Sequence, residues 1–237
     1  NEHVYNLFHN EADVALFYFA GHGTVNDLSG YLMTYDSAPH DEGVSMADLL
    51  MRAANANAKE VFIILDCCHS GAAGERPSSI GDTAFLREGI SILSSSRSTQ
   101  KSVEINGSGL FTSLISDALL GGAADLLGKV TAASIFDYVD KILGAWEQRP
   151  IFKSNISRMS PIRKTNPSID VQILRELPEF FPSPDTELRL DPSYEPTSDQ
   201  ADEVNTAVFS KLQKCRAAGL IEIIELDHMY DAAMNEG

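Results

Sequence analysis

The chain has 237 residues and a net charge of −16; 43% of it is apolar and 8% aromatic. That length and apolar content suit one full domain with its own core plus a smaller unit. The acidic balance excludes a protein built to grip a phosphate backbone, and no stretch has the length and apolar character of a membrane span, so neither nucleic acid nor membrane is expected as a partner. No basic-then-apolar leader precedes the first apolar run. The three cysteines, Cys67, Cys68 and Cys215, are too few and too oddly placed for a disulfide framework, which fits a reducing, cytoplasmic setting.

The first run, nearly unbroken in its apolar character, is residues 13–19, and it stops at Ala20-Gly21-His22-Gly23. A helical face of Met46, Leu49, Leu50, Ala53 and Ala54 follows. A second run, Val61 to Leu65, stops at Asp66-Cys67-Cys68-His69-Ser70-Gly71. A third, Ile90 to Leu93, ends in Ser94-Ser95-Ser96. Short apolar runs without alternation read as strands buried on both faces, as in a parallel sheet. Two more helical patterns follow. One runs from Leu110 to Leu119 and is stopped by Gly121-Gly122; the other is capped by Thr131 and buries Ile135, Phe136, Val139, Ile142, Leu143 and Trp146. Strands alternating with helices of this length make an α/β/α sandwich with a mostly parallel central sheet over residues 1–164.

Beyond residue 164 the composition changes. Pro167, Pro178, Pro182, Pro184, Pro192 and Pro196 are six of the ten prolines, so residues 165–198 read as a Pro-rich linker or docked extended segment. From Asp199 a helical pattern resumes, Gly219 breaks it, and Leu220 to Leu226 are expected to form a strand. Residues 199–237 thus make an incomplete helix-strand unit, a candidate sensor or docking region for a regulatory partner or small-molecule signal. Residues 165–237 hold 15 acids and 5 bases, most of the chain's net charge.

Chemistry concentrates in two polar clusters at the C-terminal ends of two predicted parallel strands, where catalytic groups gather in open α/β sheets. One offers a glycine-flanked histidine, the other a cysteine followed by small residues. A cysteine nucleophile needs a nearby base or cation to hold it as thiolate, and glycines let backbone N–H groups approach an oxyanion. A lone Gly-His-Gly is more often a turn, and a lone cysteine more often a small core residue. The pair, 46 residues apart, is much more specific than either alone.

Phe17-Tyr18-Phe19-Ala20-Gly21-His22-Gly23 and Ile64-Leu65-Asp66-Cys67-Cys68-His69-Ser70-Gly71 resemble the His and Cys motifs of the caspase superfamily, closest to its metacaspase and prokaryotic caspase-like branch. Further matches follow in order: Gly30-Tyr31-Leu32, Asp36-Ser37, Gln100, Glu104, Gly109-Leu110-Phe111-Thr112 and Gln148-Arg149-Pro150. The resemblance covers roughly residues 10–160. It implies a caspase-like sandwich and a cysteine endopeptidase, with Cys68 as nucleophile and His22 as its proton-transfer partner. The N–H groups of Gly23 and Cys68 would form the oxyanion hole.

Cys67 stands where metacaspases usually have serine, and a structural role is expected for it. Asp66 matches the residue of the primary specificity pocket. A carboxylate there implies a protein or peptide substrate with Arg or Lys at the cleaved position, and disfavours an Asp-directed enzyme. Glu104 is a candidate second pocket acid, and Ser94, Ser95 and Ser96 a candidate strand edge for pairing with substrate backbone. In relatives the loop after the nucleophile is often cut during activation; here that implies Arg87-Glu88, or less readily Arg76-Pro77. The family's first strand and helix are almost wholly missing, so the chain is expected to be a fragment or processed product. No metal ligand set and no cofactor are implied. The competing reading is a non-catalytic caspase-like module that serves as an interaction scaffold.

Overall fold

The computed structural model describes residues 2–25, 30–38, 43–67, 86–95, 104–105, 108–143, 149–224 and 226–235. They form two compact units, one of residues 1–124 with 129–165 and one of residues 125–128 with 166–237.

The first unit is built on a four-stranded sheet. Its strands are β1 (Val14–Ala20), β5 (Glu60–Asp66), β6 (Ile90–Ser94) and β10 (Ile151–Asn155), in the order β1-β5-β6-β10. The first three are parallel and β10 is antiparallel to β6. Val61 to Leu65 and Ile90 to Leu93 are buried, as runs of β-branched and apolar residues with two covered faces should be. Strand alternation sends Val61, Ile63, Leu65 and Cys67 to one face, with Val4 and Phe8 of α1 (Glu2–His9) and Met46, Leu49 and Ala53 of α2 (Met46–Ala54). Phe62, Ile64 and Leu93 go to the other face. They pack there with Phe111, Leu114 and Ile115 of α3 (Leu110–Asp117) and Ile135, Val139 and Leu143 of α4 (Ala132–Leu143). This is the expected α/β/α sandwich with a mostly parallel sheet.

Local signals set the helix ends. Ser45 Oγ accepts from the Asp48 N–H ahead of α2. Thr131 and Ser134 cap α4 reciprocally, each hydroxyl accepting from the other's N–H at 3.1 and 2.9 Å. Phe136 stacks on Phe152 of β10 with ring centroids 5.1 Å apart; Trp146 lies outside the described residues. A small antiparallel sheet of β2 (Gly23–Val25), β3 (Gly30–Leu32) and β4 (Val44–Ser45) follows β1, a hairpin of β7 (Glu104–Ile105) and β8 (Ser108–Gly109) leads into α3, and β9 (Lys129–Val130) pairs antiparallel with β11 (Arg163–Lys164).

The second unit departs from two expectations. The Pro-rich segment is not merely extended: it carries α5 (Val171–Phe180), capped by Asp170, with Pro178 inside it. Residues 220–224 and 226 form no strand. Ile221 and Ile223 instead pack against the cluster of Phe209, Leu212, Met229 and Ala233, so helices rather than a ladder absorb their apolar side chains. The helical pattern after Asp199 forms α6 (Glu203–Ala217), whose first N–H groups are accepted by Asp202, and α7 (Met229–Met234) follows. Cys215 is buried with Ile169 and Ile173, and that burial pushes its thiol up from the ordinary range. No described helix is long and apolar enough to cross a membrane.

Candidate active site

The parallel pairing of β1 with β5 runs to the last residue of each, Ala20 opposite Asp66. It then continues one step, because the Gly21 N–H donates to the Asp66 carbonyl at 3.1 Å. His22 and Cys67 therefore leave neighbouring strands at the same end of the sheet, where the strands stand about 4.8 Å apart. Cys68, the next residue, lies outside the described residues, as do Ser96 and Arg76.

His22 is exposed, and its carbonyl accepts from the Met33 N–H at 2.9 Å. That bond defines the ladder between β2 and β3. With Gly23 opposite Leu32, a bond from residue 33 to residue 22 makes the Gly23–Leu32 pair the non-hydrogen-bonded kind. The Gly23 N–H thus points away from β3.

Cys67 is 2% exposed and lies in the core on the α1–α2 face, among Leu65 and its neighbours. It is shut off from any substrate.

Asp66 is half-buried at the tip of β5 on the opposite, α3 face. Thr112 Oγ1, in the first turn of α3, donates to Asp66 Oδ2 at 2.5 Å, and the Tyr18 hydroxyl stands 2.7 Å from Thr112 Oγ1. A Cβ on Gly109 would come within 2.9 Å of Asp66 Oδ2, so glycine leaves the room the carboxylate occupies. Glu104 pairs across the hairpin with Gly109, which brings its backbone to the same neighbourhood; its side chain lies outside the described residues. Neither Thr112 nor Tyr18 stands out in the sequence as a site residue. Thr112 belongs to the matched Gly109-Leu110-Phe111-Thr112 stretch, which was the available signal.

Ser94 does not lie on a free strand edge. Ser94 pairs with Leu65 on one side and Ile151 on the other, and the Ser95 N–H donates to the Leu65 carbonyl at 3.0 Å. The return of residues 151–155 as antiparallel β10 occupies the edge that Ser94 was expected to offer to substrate. Ser95 is 5% exposed, and its hydroxyl is a buried group with no hydrogen-bond partner among the described residues. Alternation along β6 places it on the Asp66 face.

Arg87 and Glu88 lie at the opposite end of the sheet. They precede the first residue of β6, which runs five residues, roughly 17 Å, toward the His22 end. The Asn155 amide donates to the Leu86 carbonyl at 2.8 Å, the Ser157 hydroxyl donates to Glu88, and the Gly89 N–H donates to the Asn155 carbonyl at 2.7 Å. The Arg87-Glu88 bond is thus remote from the tips and tied into the fold. Among the described residues, no group of three or more His, Cys, Asp or Glu could hold a metal ion.

A family model of the caspase domain matches residues 1–162. Among solved structures the chain is similar to protein GSU0716 from Geobacter sulfurreducens, at 15% identity and a TM-score of 0.46, over 70% of this chain and 75% of that one. It is also similar to drICE, at 15% identity and a TM-score of 0.39, over 62% of this chain and 64% of that one. No curated protein matches the sequence.

Proposed function

The chain belongs to the caspase family of cysteine peptidases, and from that premise we propose an endopeptidase that cleaves polypeptides after Arg or Lys, with Cys68 as nucleophile and His22 as its partner. The observation that carries this reading is the hydrogen bond from the Gly21 N–H to the Asp66 carbonyl. It joins the two strand tips whose next residues are the histidine and the cysteine pair, beside a carboxylate. The shielding of Cys67 supports Cys68 as the reacting thiol.

The Cys68 thiolate attacks the scissile carbonyl, and the new oxyanion accepts from the Gly23 and Cys68 N–H groups. As the C–N bond breaks, His22 gives its proton to the leaving amine. Water then attacks the thioester, His22 takes the water's proton, and the thiolate leaves. Asp66 supplies the selectivity. A cation 4 Å from a carboxylate gains about 4 kcal/mol at an effective dielectric of about 20, before desolvation, whereas an acidic side chain is repelled.

A positional-scanning peptide library, run on wild type and Cys68→Ala, tests the reading. Wild type should cleave after Arg and Lys and Cys68→Ala after nothing. A wild-type profile without basic preference overturns the pocket assignment, and a wild type that cleaves nothing and takes no label from an Arg-based electrophile at Cys68 overturns the enzyme.

A further inference from the structure

Resting on the reading of Asp66 as the acid that receives a basic side chain, we infer that Thr112 and Tyr18 are positioning residues for it. A line of hydroxyls from β1 and α3 fixes where the carboxylate stands, and so sets how strongly a cationic side chain is preferred.

Three separate elements converge. Tyr18 is in β1, Asp66 ends β5, and Thr112 is in the first turn of α3. The register sets Ala20 opposite Asp66 and Tyr18 opposite Ile64. Tyr18 and Asp66 therefore share the α3-facing side of the sheet, one side-chain repeat apart, and Thr112 spans the interval.

The direction of each bond follows from the chemistry. An ionised carboxylate can only accept, so the single O–H of Thr112 is committed to Asp66 Oδ2, at the 2.5 Å of a charge-assisted bond. The 2.7 Å contact between Tyr18 and Thr112 must then have the phenol as donor. Both protons point toward Asp66, and each bond polarises the next. Gly109 closes the arrangement, since its bare Cα leaves the carboxylate its position and no larger residue would. Among the described residues Oδ1 has no partner.

The test compares peptides with arginine or its neutral isostere citrulline at the cleaved position, with the ratio of their kcat/KM values as readout. In wild type the ratio is high, and Asp66→Asn collapses it. Thr112→Val keeps the shape but loses the donor. It should lower the ratio about tenfold, through KM for the arginine peptide, which is one charge-assisted bond's worth. Thr112→Ser, which restores a hydroxyl, should return the ratio to within about threefold of wild type. Tyr18→Phe, which removes only the outer donor, should lower it by about threefold. Melting temperature and iodoacetamide alkylation of Cys68, neither of which depends on the substrate's basic group, check that each variant is folded with its thiol accessible. A ratio within twofold of wild type in both Thr112→Val and Tyr18→Phe, alongside collapse in Asp66→Asn, overturns the inference and leaves the pocket reading standing. An unchanged ratio in Asp66→Asn removes the pocket reading and the inference with it.

Discussion

Gly109 and the Asp66 carboxylate share one small volume: a methyl built on the glycine would stand 2.9 Å from Asp66 Oδ2. The glycine has φ −60 and ψ 134, a conformation open to any residue, so backbone strain does not require it. Space does. Gly109→Ala should therefore fold normally and displace the carboxylate from Thr112. The expected result is a roughly tenfold loss of kcat/KM on an Arg peptide with little change in melting temperature. A variant that keeps full activity on basic peptides would show that the carboxylate's position is unimportant.

The adjacent cysteines should separate cleanly. Cys68→Ala is expected to abolish cleavage. Cys67→Ala should retain it and lose about 1 kcal/mol of stability from the cavity left in the core, seen as a fall of a few degrees in melting temperature. Equal loss of activity in both would assign the chemistry to the wrong sulfur.

His22→Ala should lower kcat by roughly 10²–10⁴-fold, the contribution typical of a positioned proton-transfer group. Because the residue is exposed, stability should hardly move. Stopped-flow measurement of acylation, with unfolding curves alongside, checks both halves.

Ser95 makes an opposite kind of prediction. Its hydroxyl is buried without a partner among the described residues, so Ser95→Ala should melt at or above the wild-type temperature. The same substitution should cost several-fold in kcat/KM on an Arg peptide, because the hydroxyl lies on the Asp66 face. Melting curves and peptide kinetics on one preparation read both effects.

In the second unit, Lys211 Nζ of α6 lies 2.6 Å from Glu176 Oε2 of α5. The hydrogen bond from Lys211, and then that from Gln172, holds the Glu176 carboxyl below its ordinary value of 4.5. A depressed carboxyl stabilises the fold above its unfolded pKa, and that contribution fades as pH falls through the folded value. Lys211→Ala should move the Glu176 midpoint up toward 4.5 in a carboxyl NMR titration. The difference in melting temperature from wild type should shrink below that pH.

The sheet and the two tips were legible because unbroken apolar runs mark strands, but only Val61 to Leu65 and Ile90 to Leu93 are buried on both faces; β1 lies at the edge, with Leu16 and Tyr18 exposed. Val14 to Phe19 and Val61 to Leu65 stop abruptly at polar residues, and their order made parallel neighbours the natural reading. The hydroxyl line was not legible. Tyr18 and Thr112 are 94 residues apart, and only the docking of α3 over the strand ends brings them together. Strand β10 was missed for a different reason. Ile151-Phe152-Lys153-Ser154-Asn155 lies at the edge and has few apolar residues, so nothing marked it as the partner that covers Ser94. Helix α5 was obscured by the prolines around it and by Pro178 within it. The apolar residues of Leu220 to Leu226 suggested a strand, but burial against helices used Ile221, Ile223 and Leu226 instead.

The position of β6 bears on what a cut in this protein would do. All five of its residues are buried, and it is laced to β5 on one flank and β10 on the other. A chain severed anywhere between Leu65 and Ile90 would keep both halves of that three-strand seam. The pieces would travel together through a sizing column and part only in denaturant. Proteolysis there would register as a second band on a gel while the particle kept its size.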